Sequence, residues 1–276
     1  MSRNFELLQN IGKEEEYFQA ERVVVELAAP IPEPLPNPIT ETVSVGIAEE
    51  AVPVVPEASA APRQFSFEDG QLAELTKLVQ RVFLLPGSEF NHTVVFASSD
   101  AGNGCSWICA RVGELLASQV TGTVCLVDAN LHHPTLHEQL GVSNHHGLAD
   151  ALRQPGSVRG YISQLSRKNL ALVSCGSEPE SAQSFLTSDR MRTRLNELRS
   201  EFDYVLVDCP SMAASNEAVS LGAAADGVVL VLKANATRKD RARSAVRDLQ
   251  AAKVKVLGAV LNQRTFPIPE NIYNKL

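Results

Sequence analysis

Ten residues of this chain have the types and spacing that hold phosphate: Ser98-Ser-Asp-Ala-Gly102-Asn103-Gly104-Cys105-Ser106-Trp107. They follow an apolar run, His92-Thr-Val-Val-Phe-Ala97, and precede a stretch of helical character from Ile108 to Ala117. A strand, a glycine-rich turn and a helix opened by serine form the layout of a phosphate-binding loop. There the backbone N–H groups close around an anion, the helix N-terminus adds its dipole, and the Ser hydroxyl meets Mg²⁺. The same chemistry wants a lysine between Gly104 and Ser106, to neutralise the β- and γ-phosphates. Cys105 stands there instead. The cradle is kept and the charge is dropped, so whether the chain is an enzyme at all becomes the question.

Two further segments carry carboxylates. One is Thr123-Val-Cys-Leu-Val-Asp128-Ala-Asn130-Leu-His132-His133-Pro134; the other is Phe202-Asp203-Tyr204-Val-Leu-Val-Asp208-Cys-Pro210. A carboxylate at a strand end opposite a phosphate loop is placed to hold Mg²⁺ directly or through water. One apolar strand ending in Asp is common. Two of them downstream of a glycine-rich loop, in this order, are a far more specific signal.

The elements that must position these groups alternate along the second part of the chain. Strands are expected at Thr93–Ala97, Val124–Asp128, Leu170–Ser174, Tyr204–Asp208, Gly227–Leu232 and Val256–Leu261. Helices are expected at Ser106–Ser118, Pro134–Leu140, Leu148–Arg153, Asp189–Ser200, Ala214–Ala224 and Arg238–Ala252. Continuous apolar runs such as Val228-Val-Leu-Val-Leu232 mark strands buried on both faces. The alternation predicts an α/β fold with a doubly wound, mostly parallel sheet covered by helices. Ligands then bind at the carboxyl ends of the strands, where residues 98–106 lie.

Three segments are expected: a short N-terminal helical segment at 1–22, a disordered Pro/Ala-rich linker at 23–64, and the α/β domain at 65–276. Pro30, Pro32, Pro34, Pro36 and Pro38 alternate in the linker, which favours extended, solvated backbone. The domain opens with a helix over Phe67–Leu84, whose Leu72, Leu75, Leu78, Val79 and Val82 fall at helical spacing and are expected to dock on the core. A hydrophobic fraction of 44% supports a real core, and a net charge of −7 argues against nucleic-acid binding. The five cysteines are scattered singly, without metal-ligand spacing; four of them lie in or beside expected strands and helices and read as small buried side chains. Neither a signal peptide nor a run long enough to span a membrane is present, so the chain reads as cytoplasmic, without direct membrane insertion.

On these segments the chain resembles the bacterial tyrosine kinases of capsule and exopolysaccharide synthesis, P-loop relatives of the MinD and ParA ATPases. Their loop, approximately P-G-E-G-K-S-T, is similar to Ala101-Gly-Asn-Gly-Cys-Ser-Trp107. Their D-x-D-L-R-R-P is similar to Asp128-Ala-Asn-Leu-His-His-Pro134, and their D-T-P-P to Asp208-Cys-Pro-Ser211. Gly141-Val-Ser-Asn-His-His-Gly147-Leu, Val173-Ser-Cys-Gly176 and Gly258-Ala-Val-Leu-Asn262-Gln-Arg-Thr-Phe266 also fall in register. The resemblance covers roughly residues 65–276. It implies ATP and Mg²⁺ as cofactors, with Gly102, Asn103, Gly104, Cys105, Ser106, Trp107 and Asn262 at the nucleotide and Ser106, Asp128 and Asp208 at the metal. It makes Asp128 and Asp208 the catalytic carboxylates and Asn262 the reader of the adenine edge. It also implies an inner-membrane polysaccharide chain-length or export protein as partner, peripheral membrane association through that partner, and a homo-oligomer. Glu74, Lys77 and Gln80 stand where relatives carry a Glu-Arg-Arg oligomerisation pattern.

The departures matter as much. Lys is replaced by Cys105, the second motif's second Asp by Asn130, and its two Arg by His132 and His133; the C-terminal tyrosine cluster shrinks to Tyr273. Phosphoryl transfer rests on positioning and on charge stabilisation around the γ-phosphate, and each lost charge-assisted contact costs about 1.5–3 kcal/mol. The expectation is therefore a catalytically impaired regulatory subunit. Two alternatives stay open: an active tyrosine autokinase whose missing cation comes from Lys233 or Arg264, and a positioning ATPase of the MinD type. Two local alternatives stay open as well: a metal site at His132, His133 and His137, and a reactive low-pKa thiol at Cys105.

Overall fold

A computed structural model describes residues 23–26, 69–85, 91–177 and 180–263. The segment at 1–22, the linker from 27 to 64, Arg264 and Tyr273 lie outside the described residues. Among the described residues eight strands form one sheet: β1 (Val23–Glu26), β2 (Thr93–Ser98), β3 (Val124–Asp128), β4 (Ile162–Gln164), β5 (Leu170–Val173), β6 (Tyr204–Asp208), β7 (Gly227–Lys233) and β8 (Val256–Asn262). Their order is β1-β8-β7-β2-β6-β3-β5-β4, parallel except for β4, which runs antiparallel to β5. The expected doubly wound sheet is therefore the observed one.

Seven α-helices accompany the sheet among the described residues: α1 (Asp69–Val79), α2 (Cys105–Gln119), α3 (Leu136–Leu140), α4 (Leu148–Arg153), α5 (Asp189–Glu201), α6 (Glu217–Ala223) and α7 (Lys239–Ala251). Period-2 alternation sorts the strand residues between two faces. Val94, Phe96, Leu126, Leu206, Val229, Val231 and Val260 pack under α1 and α2. Val95, Val127, Val207 and Val173 face the opposite way, against α4, α5 and α6. Leu230, Leu232 and Leu261 meet α7 on that second face. Helix α1 docks as its spacing requires, with Leu75, Leu78 and Val79 fully buried, while Leu72 at its outer edge is exposed. Its last turn widens into a π turn, Gln80–Leu84, which brings Phe83 edge-on to Tyr204 at 5.9 Å.

Two helices begin later than their apolar patterns suggest. Residues before α3 form a turn, His133 N–H to Asn130 C=O at 3.2 Å, and those before α6 form another around Ser211. Two strands are additional to those expected: β4, three residues long, and β1, which pairs in parallel with β8 from within the expected linker. Backbone pairing along the β8 edge, rather than composition, places Val23–Glu26 there.

Candidate nucleotide site

The site stands where the winding reverses. β2 lies between β7 and β6, and its continuation after Ser98 forms the glycine-rich loop. Gly102 and Gly104 have φ of 75° and 80°, the left-handed region that is costly for side-chain-bearing residues. Gly104 is doubly constrained, since a Cβ there would lie 2.3 Å from Asn262 Nδ2. Buried Asn103 ties the loop down: its Nδ2 donates to Ser99 Oγ at 3.1 Å and to the Val231 carbonyl at 3.3 Å. Asn262 holds it from above, with Nδ2 donating to the Asn103 carbonyl at 2.9 Å and Oδ1 accepting from Gln263 N–H at 2.8 Å. Among the described residues, the N–H groups of Gly102 to Ser106 have no acceptor. The loop is thus a fixed cluster of free donors at a helix N-terminus, which suits an anion.

Beside it, β6 and β3 place Asp208 and Asp128 in register, both fully buried. Asp128 Oδ1 accepts from Asn130 N–H and Oδ2 from Leu136 N–H, each at 3.2 Å. Neither oxygen of Asp208 has a hydrogen-bond partner in good geometry. Burial pushes Asp208 up to about 7, against a smaller downward pull from the neighbouring Ser106 hydroxyl and Cys105 thiol. Asp128 is raised by burial and then by the charge of Asp208. Two dry carboxylates side by side resist ionising together unless a cation joins them. Ser106, Asp128 and Asp208 are hard oxygen donors that fit Mg²⁺, an ion that keeps several waters and needs few protein ligands. The orphaned Asp208 oxygens beside Ser106 are the observation that makes this fit.

The other expected site residues divide. Cys105 does not reach over the loop: its thiol is buried in the core and held well above its ordinary pKa by burial and by Asp208, so the low-pKa thiol is overturned. All five cysteines are free and buried, one more than the sequence pattern implies. Trp107, in the first turn of α2, is partly buried and packs against the core under α1 and α2. Asn262 reaches the loop itself through one amide hydrogen on the Asn103 carbonyl, while its oxygen accepts from the neighbouring Gln263 N–H. The histidines diverge. His132 Nε2 lies 3.5 Å from Glu217 Oε1, and its Nδ1 lies 3.3 Å from Gln183 Nε2; His137 lies beside Glu138. Among the described residues no trio of His, Cys, Asp or Glu side chains converges as a metal centre. The Glu74 and Lys77 pair is satisfied within its own helix.

Two features escaped the sequence reading. Asp100, inside the loop, is met by Arg241 from α7, Nη1 to Oδ1 at 3.6 Å. Glu217, nearly buried, stands 3.5 Å from His132 Nε2. Nothing local marks either one, because each depends on which strands are neighbours.

No protein-family model matches the chain. It is 32% identical over 170 residues to the tyrosine-protein kinase YwqD of Bacillus subtilis, covering 62% of this chain and 71% of YwqD. The chain belongs to the bacterial tyrosine-protein kinase family. It is also 28% identical over 183 residues to the succinoglycan biosynthesis transport protein ExoP of Rhizobium meliloti, covering 65% of this chain but only 23% of ExoP. Among solved structures, the kinase domain of Escherichia coli tyrosine kinase ETK superposes with a TM-score of 0.66 at 21% identity, over 72% of this chain and 78% of that domain. That likeness supports the fold. Among the described residues no helix is long and apolar enough to cross a membrane.

Proposed function

We propose that this member of the family is a tyrosine-kinase-like subunit of exopolysaccharide or capsule biosynthesis that holds a magnesium nucleotide and turns it over poorly or not at all. The observation that carries the reading is the pairing of an intact anion cradle with a missing cation. The amides of Gly102 to Ser106 are free, and Asp208 stands unpartnered beside Ser106, but the position between Gly104 and Ser106 presents a thiol turned into the core.

In this reading the loop amides bind the phosphate chain, and Ser106 with Asp208 and Asp128 holds Mg²⁺. The ion would supply charge neutralisation at the phosphates. What the chain's own residues supply for transfer is reduced. Asn130 brings no carboxylate, and both ring nitrogens of His132 lie beside other side chains, Glu217 and Gln183. Binding survives such losses better than catalysis does, because transfer needs charge placed where the transition state develops it.

The role proposed for the fold is docking to an inner-membrane polysaccharide chain-length or export protein, peripheral to the membrane, with self-association into an oligomer as a second contact. Support comes from the names of its relatives, ExoP above all. Calorimetric titration with ATP and Mg²⁺ tests the first part: binding with no label transferred to tyrosine from labelled ATP is expected. Robust labelling of Tyr204 or Tyr273 would establish the alternative, an active autokinase. Co-purification from detergent-solubilised cells tests the second part, with an inner-membrane export protein as the expected companion.

A further inference from the structure

We infer that Lys233 supplies, from the opposite side of the loop, the positive charge that position 105 no longer provides, and that it serves retention of the phosphate chain rather than its transfer. The inference rests on the nucleotide-holding reading above. Lys233 is the last residue of β7 and pairs in register with Asn262, the last residue of β8. Alternation along β7 puts Val229 and Val231 on the α2 face and Leu230 and Leu232 on the α7 face, so Lys233 leaves the strand on the α2 face. That face carries the loop. Asn103 is bonded to the Val231 carbonyl, two residues before Lys233, and Asn262 covers Gly104. Neighbouring strands lie about 4.8 Å apart, so the four-carbon stem of Lys233 starts one strand spacing from a residue already touching the cradle.

The backbone at Lys233 is fixed. Its N–H donates to Thr237 Oγ1 at 2.9 Å, and its carbonyl accepts from Thr237 N–H at 3.0 Å, closing the turn into α7. The side chain is half-buried, and its ammonium makes no hydrogen bond or ion pair among the described residues. The loop's own surface acid, Asp100, already has Arg241. Lys233 is therefore an uncommitted cation beside a cluster of uncommitted anion donors.

Its side of the site also decides what it can do. The sheet runs β7, β2, β6, β3, with the loop on β2 and the metal-binding aspartates on β6 and β3. A charge arriving from β7 meets the phosphate chain on the side away from the aspartates. Affinity is supported there without restoring charge at the reacting end.

The test is titration of the full chain with Mg²⁺–ADP and with adenosine, in the wild type, Lys233→Ala, Lys233→Arg, Cys105→Lys and the double variant Cys105→Lys with Lys233→Ala. Lys233→Ala should weaken ADP binding by about tenfold or more, the scale of a lost charge-assisted contact. It should leave adenosine binding and the melting temperature unchanged, and Lys233→Arg should restore most of the loss. In the Cys105→Lys background the loss should shrink several-fold, because the original charge is back. Lys253→Ala, on an exposed turn, is the control for a general charge effect. If the wild type fails to bind Mg²⁺–ADP, the nucleotide-holding reading falls and this inference with it. If the wild type binds and Lys233→Ala binds as well, or if the loss is equal in both backgrounds, this inference alone is overturned.

Discussion

Two loops at the carboxyl edge of the sheet treat their polar groups in opposite ways. The first, after β5, clasps the segment that opens α4. Leu148 N–H reaches the Ser174 carbonyl at 2.7 Å, and Ala149 N–H reaches that of Cys175 at 2.8 Å. Asn144 bonds both the N–H and the C=O of Gly176, and Ser174 Oγ bonds the His146 carbonyl. Asp150 accepts from Gly147 N–H and pairs with Arg153. The second loop, 98–106, is anchored at Ser98 by Met212 N–H, at Asp100 by Arg241 and through Asn103 and Asn262, yet among the described residues the amides of Gly102 to Ser106 have no acceptor and the neighbouring Asp208 oxygens have no partner in good geometry. One loop is complete in itself. The other has the open valences of a binding site, so the fold holds without the second loop's ligand but depends on the first loop's contacts. On the proposed reading, substitutions at 105, 130 and 132 fall on the side of the ligand and not of the scaffold.

The largest effect should come from the self-satisfied loop. Gly147 has φ of −174°, extended backbone that any residue adopts, yet a Cβ there would stand 2.1 Å from the Ser174 carbonyl and 2.5 Å from Gly176 N. Both neighbours are backbone, so relief requires parting α4 from β5. Gly147→Ala should cost about 4 kcal/mol or more, read as a fall in the denaturation midpoint. A loss below about 1 kcal/mol would mean that the clasp is not the rigid partner in this comparison.

Next in size is Asp208. A carboxylate raised to about 7 in the folded state binds a proton there that the unfolded chain has already released above about pH 4. Folding stability is then highest at low pH within this window and falls as pH rises from about 4 to 7. Asp208→Asn should remove most of that slope and stabilise the ligand-free protein at pH 8 by on the order of 2–4 kcal/mol. Melting curves at pH 5.5 and pH 8 check both. An Asp208→Asn midpoint equal to or below that of the wild type at pH 8 would show that Asp208 is already compensated by a cation.

Much of this contrast was legible in the sequence, for reasons that can be named. Strands β3 and β6 match their expected bounds because Val124-Cys-Leu-Val-Asp128 and Tyr204-Val-Leu-Val-Asp208 are buried on both faces and end at the binding edge. The loop was legible from its glycines, whose positive φ the structure confirms. The direction of the Cys105 side chain was not legible, since a first-turn residue can face loop or core, and a small apolar thiol chooses the core. Arg241 beside Asp100 and Lys233 beside Asn262 needed strand order, which no local pattern encodes. The three-residue β4 carries too few alternating positions to register as a strand.

The third prediction acts on the open loop alone. Cys105→Lys should tighten Mg²⁺–ATP binding by about tenfold without efficient transfer to tyrosine, because Asn130 and His132 remain. Turnover at the level of an active relative from this one change would refute the view that three positions are defective together.

The smallest effect completes the contrast between glycines. Gly102 has φ of 75° and nothing within 4 Å of where its Cβ would stand, the reverse of Gly147 on both counts. Gly102→Ala therefore meets only the backbone preference, about 1 kcal/mol, and the domain should melt within a few degrees of the wild type. Its consequence should appear in binding: relaxing φ re-aims the free amides that follow, so affinity for Mg²⁺–ADP should fall while adenosine affinity holds. If Gly102→Ala destabilised the fold as much as Gly147→Ala, the phosphate loop would be a structural element like the clasp, and its free valences would lose their meaning as a binding site.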